Sequence, residues 1–90
     1  MKNATNTLRA VIYLRFLGFD PENIRRALPK LTGISQADLA RRLGTSRQNI
    51  GHHLSGIRQT PEIVQGIAEA YQVPPRELFA DLPEEGGHRG

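Results

Sequence analysis

The chain has 90 residues, 38% of them hydrophobic, enough for one small domain but near the lower limit for a self-sufficient core. It contains no cysteine, which excludes a disulfide framework and thiolate metal sites, and no run of eighteen apolar residues, which excludes a membrane-spanning helix. The net charge of +3 is unevenly spread: residues 21–60 carry seven basic side chains against Glu22 and Asp38, whereas residues 61–90 carry Arg76 and Arg89 against six acids. A positive field gathered in the middle of the chain suits a phosphate-facing surface. The Met1-Lys2 start is not followed by a continuous apolar stretch and a small-residue cleavage site, so a cytoplasmic protein is expected.

The first predicted element runs from Thr7 to Leu17. Leu8, Val11, Ile12, Tyr13, Leu14, Phe16 and Leu17 cover most of a helix circumference, interrupted only by Arg9 and Arg15. A helix apolar nearly all round is buried on more than one side. Residues 1–20 are therefore a candidate dimerisation element, one face on its own domain and another, including Leu14, against a second subunit. Gly18 ends the helix. Asp20-Pro21-Glu22 then gives an N-cap, a proline at the first helical position and an acid in the first turn. The second helix is expected over Pro21–Leu28, with Ile24, Ala27 and Leu28 inward, Arg25 and Arg26 outward, and Pro29 limiting its extension.

Residues 34–56, ISQADLARRLGTSRQNIGHHLSG, carry the clearest signal. Ser35 caps a helix over Gln36–Leu43, and Asp38 three residues on approaches a capping box. Gly44 supplies the left-handed conformation that ends a helix cheaply. Ser46 caps a second helix through about Leu54, before Ser55-Gly56 closes it. Leu39, Ala40 and Leu43 share one side of the first helix, and Ile50 and Leu54 one side of the second. Two short helices about a tight turn are a helix-turn-helix, whose second helix lies in the DNA major groove. Downstream, Thr60-Pro61 starts a helix to about Tyr71 with a core stripe of Ile63, Val64, Ile67, Ala68 and Tyr71. Gly66 lies off that stripe. Val73-Pro74-Pro75 breaks the chain, and a last short helix around Arg76–Leu82 returns Leu78 and Phe79 to the core. Residues 83–90, PEEGGHRG, lack an apolar anchor and read as a disordered tail.

The motif residues, followed by Thr60-Pro61-Glu62-Ile63, Ile67-Ala68-Glu69-Ala70-Tyr71 and Val73-Pro74-Pro75-Arg76-Glu77-Leu78-Phe79, resemble the λ-repressor-like (XRE) regulators, in particular the small phage-type, Ner-like ones. The resemblance covers roughly residues 21–80. It implies an all-α domain of five short helices over 21–82, to which the apolar N-terminal helix is added. His53 departs from the pattern, standing where the family often has an apolar residue, with Leu54 then expected to carry that packing.

With Ile50 and Leu54 buried, Gln48, His52 and Ser55 point away from the core, and Arg47 and Asn49 reach past the start of the helix. Arg47 suits guanine O6/N7, and Gln48 or Asn49 suits adenine N6/N7, so Arg47, Gln48, Asn49 and His52 are the candidate base contacts. The first-turn N–H groups at Ser35 and Gln36 offer a phosphate site, and the resemblance implies that Gln36 contacts the backbone and braces the recognition helix. Thr45, Ser55 and Arg58 complete the candidate backbone contacts, with Arg41 and Arg42 peripheral. Adjacent His52 and His53 point about 100° apart and do not share a metal along one helix face. No catalytic constellation, cofactor or metal is expected. The function that follows is a homodimeric, operator-occupying transcriptional regulator of double-stranded DNA. The alternative is a protein-interaction module such as an antitoxin, in which DNA binding is secondary to holding a partner protein.

Overall fold

The structure, a computed structural model, describes residues 4–81. The described residues form six helices: α1 (Ala4–Phe16), α2 (Pro21–Thr32), α3 (Gln36–Leu43), α4 (Arg47–Ser55), α5 (Pro61–Tyr71) and α6 (Pro75–Leu78). No strand occurs among them. The expected tail over 83–90, and Leu82, lie outside the described residues.

Local chemistry sets most of the boundaries. Ser35 and Asp38 form a complete capping box, each side chain accepting from the other's backbone N–H at 3.0 Å. Ser46 accepts from Asn49 N–H at 3.0 Å and starts α4. Gly44 (φ 68°) stops α3 in the left-handed region, where a β-carbon is strained. The second helix corrects the expectation for Pro29: α2 continues through it to Thr32. A proline removes one donor but keeps a helical φ. The last turn is closed by the Thr32 hydroxyl donating to Leu28 O at 2.7 Å and by Gly33 N–H donating to Pro29 O at 2.9 Å.

The core is one cluster built from every helix, with Val11 from α1, Ile24 and Leu28 from α2, Leu39 and Ala40 from α3, Ile50 and Leu54 from α4, Ile67, Ala68 and Tyr71 from α5, then Val73, Leu78 and Phe79. Leu14 and Leu8 pack against it from α1, so Leu14 faces inward rather than toward a second subunit. Leu78 and Phe79 are likewise consumed by the core. Gly66 has a packing reason that a stripe diagram does not reveal. A β-carbon there would stand 2.4 Å from Cδ2 and 3.0 Å from Cδ1 of Leu43, so the bare backbone admits α3 against α5.

Arg25 overturns the expectation that it lies on the outer side of α2. It is fully buried. Its Nε donates to Leu54 O (2.7 Å), Nη1 donates to Leu78 O (3.2 Å) and Asp81 Oδ1 (2.6 Å), and Nη2 donates to Asp81 Oδ2 (3.2 Å). The guanidinium also stacks over Phe79, with Cζ 4.9 Å from the ring centroid. A planar fork with several fixed donors fills this junction; a lysine, a single point charge, does not. Arg26 does lie outward and pairs with Glu22 at 3.3 Å.

Arg25→Met leaves two buried carbonyls without donors, and costs about 2–4 kcal/mol in urea unfolding. The arginine's hydrogen bonds hold the Asp81 carboxyl below its ordinary value of 3.8. A folded state that prefers the ionised acid is stabilised above that value and loses the contribution as pH falls through the lowered one. The acid limb of the stability curve is therefore shallower in Arg25→Met. For Gly66, the helix-propensity gain of about 1 kcal/mol on Gly→Ala is outweighed by displacing Leu43. Gly66→Ala lowers the unfolding midpoint in the parent and raises it in a Leu43→Ala background, a sign reversal that a double-mutant cycle reads directly.

Candidate nucleic-acid interface

The turn between α3 and α4 brings the candidate residues together. α4 packs chiefly on α3 and α2, burying Ile50, His53 and Leu54. Its opposite side is left open. Arg47 and Gln48, in its first turn, are exposed, and neither has a hydrogen-bond or ion-pair partner among the described residues. Asn49 is different: its amide donates to Thr45 Oγ1 at 2.9 Å, which half-buries both residues and ties the turn to the start of the helix. His52 is half-buried on the open side. Ser55 turns its hydroxyl back to His52 O at 3.1 Å.

Gln36 sits where α3 meets α4. Its Oε1 lies 3.4 Å from the position of a β-carbon on Gly51, so the amide of α3 rests on bare backbone in the middle of α4. Sequence reasoning missed Gly51; a glycine in a helix interior, costly by propensity, was the available signal. Ser35 spends its hydroxyl on the Asp38 N–H, and its own N–H on the Asp38 carboxylate. These bonds, the Ser35 backbone N–H foremost, hold the Asp38 carboxyl below its usual range, and Arg41 pairs with it from one turn on. What remains for a phosphate at this helix start is the first-turn N–H groups beyond Ser35. Tyr71 steadies the approach by donating its hydroxyl to Ile34 O at 3.0 Å. Burial, then the Asp38 charge, pushes that phenol up to about 12.

At the far end of α4, Gly56 (φ 90°) turns the chain and Arg58 N–H donates to His52 O at 3.2 Å, leaving the Arg58 side chain exposed. His53 locks this end. Thr60 N–H is only a donor, so the His53 Nε2 that it meets at 3.1 Å accepts, and Nδ1 carries the proton toward Asn49 O at 2.8 Å. Leu54 is buried beside it, so His53 and Leu54 both carry the packing at this end of α4, where Leu54 alone is expected to.

Charge is sorted in the same way. Arg25, Arg26 and Arg41 are each matched to a carboxylate, as is Arg15 to Glu77. Arg42, Arg47 and Arg58 around the turn and α4 have no carboxylate within ion-pair distance among the described residues, as is also true of Arg9, Lys30 and Arg76 elsewhere. The exposed start of α4, flanked by Arg42 and Arg47, and the Gln36 amide seated on Gly51 lie together on this side of the domain.

Residues 26–78, more than half of the chain, match the helix-turn-helix family. The chain belongs to that family, in its λ-repressor-like (XRE) form, and is a DNA-binding helix-turn-helix regulator. No curated protein and no solved structure matches it. No helix among the described residues is long and apolar enough to cross a membrane.

The contact between Gln36 and Gly51 sits at the edge of ordinary van der Waals distance. Gly51→Ala is expected to fit and to raise stability by about 0.5–1 kcal/mol through propensity. Gly51→Val adds branches that push Gln36 away, and unfolds at a lower denaturant concentration than Gly51→Ala.

Proposed function

We propose that the chain is a sequence-specific regulator of transcription that acts by occupying an operator in the cytoplasm, with α4 in the major groove. One observation carries the reading: Arg47 and Gln48, the two side chains at the entering end of α4, are exposed and spend no hydrogen bond within the protein. Arg47 reads guanine O6/N7 and Gln48 reads adenine N6/N7. His52, one turn further, borders the same groove. Asn49, held by Thr45 through one amide N–H, keeps its second N–H and its amide oxygen for a base and also sets the turn. Gln36 and the α3 start contact one phosphate strand, with Ser35 as cap and Thr45 beside it. Arg58 and the nearby Ser55 meet the other. One helix reads too few base pairs to define a genomic site, so two copies bind two half-sites. No catalytic step or cofactor enters this reading.

A second reading, a module that holds a different protein as antitoxins do, draws on the exposed apolar side of α1. Stoichiometric co-purification with a second protein would favour it.

Selection of bound duplexes from random sequence, followed by titration at several salt concentrations, tests the first reading. With roughly ten phosphates neutralised per dimer, log affinity falls against log salt with a slope on the order of −9. Arg47→Ala costs about 1–3 kcal/mol on the best sequence and relaxes one position per half-site. Arg58→Ala weakens all sequences about equally. An unchanged sequence preference in Arg47→Ala removes its assignment, and no binding at low salt removes the operator.

A further inference from the structure

We infer that the outer face of α1, centred between Tyr13 and Phe16, is the surface through which two copies of this chain pair, antiparallel about a two-fold axis. Val11 is buried and Leu8 and Leu14 pack on the core, so the other side of the helix faces solvent. There Phe16 is 83% exposed and Tyr13 61%, with Ile12 at 49%, Leu17 at 53% and Phe19, just past the Gly18 turn, at 51%. Arg9, Ile12, Tyr13 and Phe16 recur at i, i+3, i+4 and i+7, one continuous stripe.

The area fits a second copy. At about 200 Å² for a fully exposed side chain of this size, the five expose roughly 600 Å², the top of what a lone monomer carries. Two such faces bury roughly 1,200 Å², the threshold of a stable specific interface. The charges fit as well. Arg9 begins the stripe, and Asp20 follows it beyond the Gly18 turn, both exposed; the Asp20 carboxylate caps nothing, and neither side chain has a partner among the described residues. A two-fold operation lays the start of one α1 against the end of its copy, so Arg9 of each chain meets Asp20 of the other while Phe16 and Tyr13 cross at the centre. The face also stays clear of DNA, since α1 packs chiefly on α2 and α6, and α2 stands between it and α4. The pairing supplies the two half-sites of the operator and for that purpose rests on the regulator reading, though its test needs no DNA.

Sedimentation equilibrium of the whole chain without DNA, from micromolar to hundreds of micromolar, is expected to give a dimer. Phe16→Glu and Tyr13→Glu, checked for retained helicity, weaken it at least about 30-fold. Ile57→Glu, at an apolar residue 73% exposed outside this face, leaves it unchanged. Arg9→Glu also weakens pairing, and adding Asp20→Arg restores it. A parent chain monomeric throughout overturns the inference, and so does a dimer indifferent to both glutamates. A dimer indifferent to Arg9→Glu overturns the antiparallel arrangement. Binding to a single half-site, measured on the Phe16→Glu monomer, separates the two readings: normal half-site affinity with lost full-site affinity supports both. A paired protein with no DNA affinity keeps the interface and removes the operator.

Discussion

The guanidinium of Arg25 has no route to water, so its donors must be met inside the protein, and how they are met organises the domain. Leu54 O belongs to the last turn of α4, where carbonyls lack intrahelical partners. Leu78 O belongs to the end of α6, and Asp81 to the segment beyond it. One side chain on α2 therefore closes the C-terminal end of the recognition helix and fastens the end of the described chain to the same point. A cation there also opposes the partial negative charge at two helix C-termini. Removing it leaves carbonyls stranded in the core, which is why a single buried charge matters more here than the exposed pairs Arg26–Glu22 or Arg15–Glu77.

The recognition helix is held from both ends by different means. At its start, Ser46 caps the backbone and Asn49 ties to Thr45, both within four residues. At its end, Arg25, Gly56 and the His53 contact with Thr60 come from α2, the turn and the α5 approach. Gln36 bears on its middle through Gly51. Preorganisation of this kind lets Arg47 and Gln48 stay unengaged without the helix fraying around them; in the proposed function, little ordering then remains for the moment of binding.

What was legible in the sequence was what depends on near neighbours. The Ser35–Asp38 box, the Gly44 turn, the Ser46 cap and the alternation of Leu39, Ala40, Ile50 and Leu54 are decided within a few residues, and all appear as read. The misses share a longer reach. Arg25 looked solvent-facing because its partners lie 29 to 56 residues away. The reason for Gly66 is Leu43, 23 positions back along the chain and packed against it. Leu14 and Phe16 are equally apolar in sequence, and only the docking of α1 on α2 and α6 decides that one is inside and the other out. Pro29 lacks a donor that a helix uses, but the extent of α2 turns on the Thr32 hydroxyl and Gly33 closing the turn after it. The candidate site divides along the same line. Exposure of Arg47 and Gln48 follows from helical phase, but the capture of Asn49 by Thr45 depends on the turn's geometry.

The position of α2 joins these strands of the structure. It packs on α1 at one side and α4 at the other, and holds Arg25 between α4 and α6. In a dimer formed through α1, the separation of the two recognition helices is then set by a short run of close-packed helices with no flexible linker inside it. Half-sites one helical turn apart, about 34 Å, tolerate little play in that distance, because an error rotates the second helix out of the groove as well as displacing it. The exposed Arg15–Glu77 pair is too wet to enforce such a spacing alone. The buried Val11, with Leu8 and Leu14 packed beside it, can, since close-packed apolar contacts resist displacement and are insensitive to the salt that loosens DNA contacts. On this view the apolar excess of α1 has two uses: its inner side fixes the helix to the domain, and its outer side sets one copy against the other.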